Sequence, residues 1–378
     1  MTQLADVAVV GGGIVGLAFA WEAARRGNTV VLFDRTEKAE GASVRNFGMV
    51  WPIGQPPGEP YHIALRSRDR WLELRHQAGV WVEECGSLHA VYEDDEDELI
   101  REFADRGETA GVNCTYLPAA EAARRFPALN TTGLKGVLHS PTELVVNPPD
   151  AIARLARFLA ETHSVTLRPG TTVVGIDMPW IHTARGETWH ADRVFVCTGV
   201  DFETLFPEVF AAAGIRRCKL QMMKTRPQPA GWRLGPHIAG GLTLCHYRSF
   251  GQCHTLAAVR KRITEMMPDY VRYGIHVMAA QNDRGEVVIG DSHEYDRDIT
   301  PFDKAEIDEL ILAYLRKMVR FPDWTVAARW HGVYAKHPEK PFVTAEAQPG
   351  CVIATAPGGA GMTLAFGLAA DWWEEHGR

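Results

Sequence analysis

A buried-type strand, a glycine turn, a helix, a second strand and an acid follow one another without interruption over the first 34 residues. This succession constrains the fold more tightly than anything else in the chain. Asp6–Val10 is an apolar run suited to a strand covered on both faces. Gly11-Gly12-Gly13-Ile14-Val15-Gly16 then fits the pattern GxGxxG. Gly11 permits the tight turn, Gly13 lets backbone approach a pyrophosphate, and Gly16 lets the helix pack on the strand. The segment from Ile14 to Arg26 has the length and apolar spacing of a helix that Gly27 stops, and its first turn, with Ile14 and Val15, presents N–H groups to a phosphate. Val30–Phe33 is the second strand and Asp34 ends it, roughly 20 residues after the turn, where a carboxylate accepts both ribose hydroxyls of an adenosine. The same acid would repel a 2′-phosphate. Arg35 beside it lies along the adenine or is simply exposed.

The βαβ opening predicts an α/β fold with a doubly wound, mostly parallel sheet, and Arg193–Cys197 and Cys351–Thr355 read as further central strands of it. Ser87–Tyr92, Arg216–Thr225, Gly241–Tyr247 and Glu286–Gly290 read instead as strands of a second, antiparallel sheet. The expected organisation is a dinucleotide-binding lobe of residues 1–85, 145–215 and 325–378, with a discontinuous α+β substrate lobe of 86–144 and 216–324. The acidic run Glu93–Glu98 is expected to open a solvated helix.

At 378 residues the chain is long enough for two lobes, and its net charge of -7 gives no basic footprint for nucleic acid or an anionic membrane. No apolar run reaches the ~20 residues of a membrane span, and Asp6–Val10 follows the N-terminus without a signal-like segment, so the expected location is cytoplasmic. The seven cysteines are scattered with no metal-type spacing, so neither disulfides nor a metal is expected.

After Asp34 the chain leaves the nucleotide fold and returns near its C-terminus, unlike a contiguous NAD domain. There Ala356-Pro357-Gly358-Gly359-Ala360-Gly361-Met362-Thr363 follows a buried strand and opens a helix, presenting bare N–H groups. Such a terminus suits the pyrimidine edge of a flavin, which becomes negative on reduction. Together with Ala42-Ser43-Val44-Arg45-Asn46-Phe47-Gly48, Val196-Cys197-Thr198-Gly199 and Arg329-Trp330-His331-Gly332, these residues resemble the D-amino acid oxidase superfamily, which includes glycine oxidase and sarcosine oxidase. The segments Ser43–Gly54 and Ile289–Tyr295 are similar to a clade associated with aminophosphonate breakdown. The resemblance implies FAD, with Ser43, Arg45, Asn46 and Phe47 near the flavin, Val173 against the adenosine, Thr198 and Gly199 beside the phosphates, and Gly358, Gly359, Gly361, Met362 and Thr363 at the flavin's other end.

The chain also departs from that pattern. Where glycine oxidase carries an arginine that forks onto the substrate carboxylate, this chain has Tyr334. Where sarcosine oxidase attaches its flavin through cysteine there is Gly332, so non-covalent FAD is implied; Thr363 stands where that enzyme has a lysine near the flavin. The implied electron acceptor is therefore oxygen or another molecule. The expected reaction is hydride transfer to flavin N5 from a small amine, an aminophosphonate being the specific expectation. Amino-acid oxidation, a non-catalytic flavoprotein and an NAD-dependent dehydrogenase are the rivals. Arg45, His246, Arg248, His293, Tyr334 and Lys336 are the candidate substrate groups. Strand alternation would place His246 and Arg248 on one face, toward an anion, or else Tyr247 on the other. Trp51 and Gln55 are expected to cap the same cavity or to be ordinary packing and loop residues.

Overall fold

A computed structural model describes residues 3–377, so the outermost ends of the expected lobes, residues 1–2 and 378, lie outside it. The strand Gln3–Val10 occupies the middle of an eight-stranded sheet. It pairs in parallel with Val30–Phe33 on one side and Thr188–Val196 on the other. Thr166–Arg168 extends the sheet beyond Val30–Phe33, and Cys351–Thr355 joins the end of Thr188–Val196, both in parallel. Alternation along these strands feeds two cores: Val7 and Val9 face one, Ala8 and Val10 the other.

The helices Ile14–Arg25, Glu59–Gln77 and Gly361–His376 cover the first face. Their contact is aromatic: the Phe366 ring meets Trp21 and Trp71 edge-on at 5.4 and 5.1 Å. The far ends of the chain are thereby locked against each other and against the same strands.

A nine-stranded sheet forms the second layer. Arg216–Thr225 pairs along one edge with Val326–Lys336 and along the other with Val287–Gly290 and Glu294–Asp296, all antiparallel. The sheet continues through Met278–Gln281, His237–Ala239, Ser87–Val91, Gly136–Ser140 and Thr115–Pro118, with one parallel pairing between His237–Ala239 and Ser87–Val91. A small sheet of Met49–Val50, Leu144–Val146 and Val82–Glu84 lies apart from both. The acidic run does open a helix, Asp94–Ala110.

Two expectations are corrected. Gly241–Tyr247 is not a strand: Gly241–His246 is a short helix and Arg248–Gln252 a 3-10 turn. The chain squeezes past Glu96 and Tyr314 here, where a Cβ on Gly241 would sit 2.0 Å from the Glu96 carboxylate and one on Gly240 2.7 Å from the Tyr314 ring. That tertiary constraint outweighs the apolar alternation. The lobe boundary at 325 also cuts differently, because Val326–Lys336 is hydrogen-bonded into the antiparallel sheet.

Candidate cofactor groove and substrate pocket

The glycine turn is shaped by close backbone contacts. Gly11 has φ +113°, and a Cβ there would lie 2.3 Å from the Cys197 carbonyl oxygen; a Cβ on Gly16 would lie 1.9 Å from the Gly11 carbonyl oxygen. Gly13 differs, since a Cβ on it meets only the Ser43 side chain, at 3.0 Å, and otherwise faces the groove. Gly12, to which the motif gives no role, donates its N–H to Asp34 Oδ2 at 2.7 Å, while Asp34 Oδ1 accepts from the Thr36 N–H at 2.8 Å. The carboxylate is thus fixed in orientation and keeps lone pairs for hydroxyl donors. Arg35 pairs with Asp201 at 3.0 Å and lines the groove with its side chain largely exposed.

From this turn a continuous cavity of about 780 Å³ runs to the second sheet. Every residue assigned to the cofactor lines it except Gly16, which serves packing instead. Several act through backbone or as scaffolding. The Ser43 hydroxyl accepts from the Ile14 N–H at 2.9 Å. The Asn46 amide donates to the Ala42 and Ser43 carbonyls and accepts from the Gly48 N–H, closing its own loop. Thr198 bonds the Asp201 carbonyl, and Val173 is a buried strand residue paired with Thr183. Gly358–Ala360 is a 3-10 turn leading into the helix from Gly361, and Thr363 Oγ1 accepts from the Trp51 N–H.

The substrate candidates also line the cavity, but not as one set. His246 and His293 come together with His276, which sequence reasoning missed; ring centroids lie 3.9 Å apart for His246–His276 and 4.4 Å for His246–His293. Asp291 completes the cluster, with a carboxylate oxygen 3.1 Å from His276 Nε2. The Ile289–Tyr295 segment contains Asp291, but only the fold brings His276 beside it, through antiparallel pairing of Met278 with Gly290. Burial pulls the pKa of His246 and His276 well below the ordinary imidazole value and that of His293 down to about 3. His246 and His293 are therefore neutral rather than the standing cations expected for an anion.

Arg45 and Arg248 are held by backbone carbonyls. Arg45 Nη1 donates to the His331 carbonyl at 3.3 Å, and Arg248 donates to the Pro338 and Glu339 carbonyls. Because the segment is helical, the either/or of His246 or Tyr247 disappears: both line the cavity, Tyr247 lying against Trp51 and His276. Trp51 and Gln55 also line it, both buried. Tyr334 is buried beside Gly359, whose Cβ would lie 3.6 Å from its hydroxyl, and burial raises its pKa well above the phenol value. Lys336 is the half-buried cation of this wall, with Nζ donating to the Tyr295 hydroxyl at 3.0 Å.

Residues 6–372 match the model of the FAD dependent oxidoreductase family (DAO). The chain belongs to this family. Among curated relatives, glycine oxidase of Geobacillus kaustophilus is 29% identical over 212 residues, which cover 53% of this chain and 55% of that one. Anaerobic glycerol-3-phosphate dehydrogenase subunit A1 of Haloferax volcanii is 28% identical over 251 residues, covering 60% of this chain and 42% of that one. The matched parts thus span about half the length of these relatives. The crystal structure of glycine oxidase from Geobacillus kaustophilus superposes with a TM-score of 0.78 at 21% identity, covering 99% of this chain and 95% of that one, so the fold is shared throughout.

The family's cofactor fits the groove. The side of Gly13 that faces it is open, the first helical turn and the Gly358–Gly361 turn supply N–H groups at its two ends, and the Asp34 carboxylate lines it with lone pairs left for hydroxyl donors. Among the described residues, no helix is long and apolar enough to cross a membrane.

Proposed function

We propose that the chain oxidises a small amine bearing an anionic group. The specific substrate class is an aminophosphonate, 2-aminoethylphosphonate or its N-methyl or 1-hydroxy derivative, giving a phosphonoaldehyde and releasing ammonia or amine. The observation carrying this reading is the division of labour in the pocket wall: Lys336 supplies a cation, with the exposed Arg45 and Arg248 along the same cavity, while the neighbouring His246, His276, His293 and Asp291 supply N–H acceptors. An anion and an amine therefore have separate places to go. Tyr334, where the family resemblance would put the arginine of glycine oxidase, leaves no planar fork for a carboxylate and favours an anion held by a point charge.

Bound FAD, held non-covalently, would supply the hydride acceptor. The chain's own residues orient the amine carbon, exclude water and hold charge. Trp51, Tyr247 and Phe47 give the pocket apolar walls, and burial keeps the imidazoles neutral. The Gly358–Gly361 N–H groups stabilise negative charge at their end of the groove. Oxygen or another acceptor would complete the cycle.

The test is an anaerobic flavin-bleaching screen of aminophosphonates, glycine, sarcosine and D-amino acids. Bleaching by aminophosphonates is expected; bleaching by amino acids alone would replace this reading with amino-acid oxidation, and a yellow protein bleached by nothing would replace it with a non-catalytic flavoprotein.

A further inference from the structure

The polar end of the pocket holds a buried carboxylate that lacks a strong partner. His276, His293 and Asp291 are all nine-tenths or more buried. One Asp291 oxygen approaches His276 Nε2 at 3.1 Å and the other His293 Nε2 at 3.9 Å, yet Asp291 Oδ1 and His276 Nδ1 make no hydrogen bond. Lys336, the nearby cation, spends its ammonium on Tyr295 instead. His293 Nδ1 meets the Gly274 carbonyl at 3.0 Å, so its Nε2 is the bare acceptor. An ionised carboxylate this deeply buried costs several kcal/mol unless a cation or proton joins it.

Three kinds of occupant compete for this cluster. A metal ion needs ring lone pairs that converge, and the three imidazoles do offer nitrogens within 4.8 Å of one another. Their rings, however, are stacked: His246 on His276 at 3.9 Å and 29°, and His276 on His293 at 4.9 Å and 20°, so the lone pairs run side by side. An anion would face the carboxylate. An ammonium group finds what it needs, a carboxylate and neutral ring nitrogens at the end of an open cavity.

We propose that this cluster is the amine-binding end of the site and that the His276–Asp291 pair accepts hydrogen bonds from the substrate's ammonium. The inference rests on the amine reading above. His246 and His293 are positioning residues that hold the pair by stacking. The other titratable groups facing Asp291 come from three strands and the residue that follows the short helix: Tyr247, Cys218, Tyr295, Tyr334 and Lys336. Burial holds the three phenols and the thiol neutral, leaving Lys336 as the cation.

The test uses the FAD-loaded protein and tert-butylamine, which has no hydrogen on its α-carbon and so binds without being oxidised. Calorimetric titration at mildly alkaline pH, in two buffers of different ionisation enthalpy, reads affinity and proton release together. The expected result is binding without net proton release, weakened at least about tenfold in Asp291→Asn and in His276→Gln at unchanged FAD content, with tetramethylammonium binding about tenfold weaker still than tert-butylamine in the unaltered protein. Release of one proton per amine, equal binding of tetramethylammonium, unaffected variants or no binding would each overturn the proposal. Binding as expected in a protein that no amine bleaches would remove the oxidation reading and keep this site; bleaching together with unaffected variants would do the reverse.

Discussion

The Trp51 N–H donates to the Thr363 hydroxyl at 2.9 Å, joining the segment that follows the first loop to the helix that closes the chain, 312 positions later. Both residues are buried, so the bond has no water to replace it. Thr363→Val keeps the shape and removes the acceptor, leaving a buried N–H unpaired at a cost of about 1–3 kcal/mol. A melting temperature lower by several degrees is expected, together with weaker FAD retention. An unchanged melting curve would show that the bond contributes nothing.

The glycines of the turn make separable predictions. Gly16→Ala forces a Cβ to within 1.9 Å of backbone that cannot yield, so the strand–helix unit should fail and soluble protein should be lost. Gly13→Val meets little protein and projects into the groove; it should yield folded protein without FAD. Circular dichroism and flavin absorbance distinguish the two. Normal FAD content in Gly13→Val would overturn the placement of the pyrophosphate.

Lys336 sets the alkaline limit of anion binding. Burial lowers its pKa from 10.5, so its charge is lost as pH rises earlier than that of an exposed lysine. KM for 2-aminoethylphosphonate should accordingly rise on the alkaline side. Lys336→Met should raise KM at neutral pH by about 10- to 100-fold, the equivalent of about 1.5–3 kcal/mol for a charged hydrogen bond, and flatten that rise.

Glu102 ties the helix Asp94–Ala110 to the start of Leu256–Met266, accepting from the Thr255 hydroxyl and from the His254 and Thr255 N–H groups. Desolvation raises its pKa, but these bonds outweigh it and bring the group to about 2, against 4.5 when free. The folded value is depressed, so the stabilisation is present above pH 4.5 and disappears as pH falls toward 2. Glu102→Gln should lower the melting temperature by a few degrees at neutral pH, with the difference narrowing through that acidic window. A difference independent of pH would assign the effect to packing.

The cofactor half of the site was legible because it is made of local constraints. Gly11, Gly13, Asp34 and Gly358–Gly361 each answer to a turn, a close approach or a helix end within a few residues of themselves. The strands around them read correctly for the same reason: Val30–Phe33, Arg216–Thr225 and Cys351–Thr355 have the bounds that their apolar runs indicate. Gly241–His246 did not, since its helix is imposed by Glu96 and Tyr314 from distant elements.

The substrate half was decided by tertiary structure. His276 carries no local mark; it matters because Asp291, just after the strand Val287–Gly290, and His246 at the end of a short helix are folded against it. Arg45 and Arg248, which a charge-based reading selects, are instead bound to nearby carbonyls. Backbone conformation around a glycine is dictated within a turn and can be read in one dimension. The charge state and partners of a side chain depend on what burial brings beside it, so the sequence by itself determined the strand–turn–helix frame, and only the folded sheets determined which groups line the pocket together.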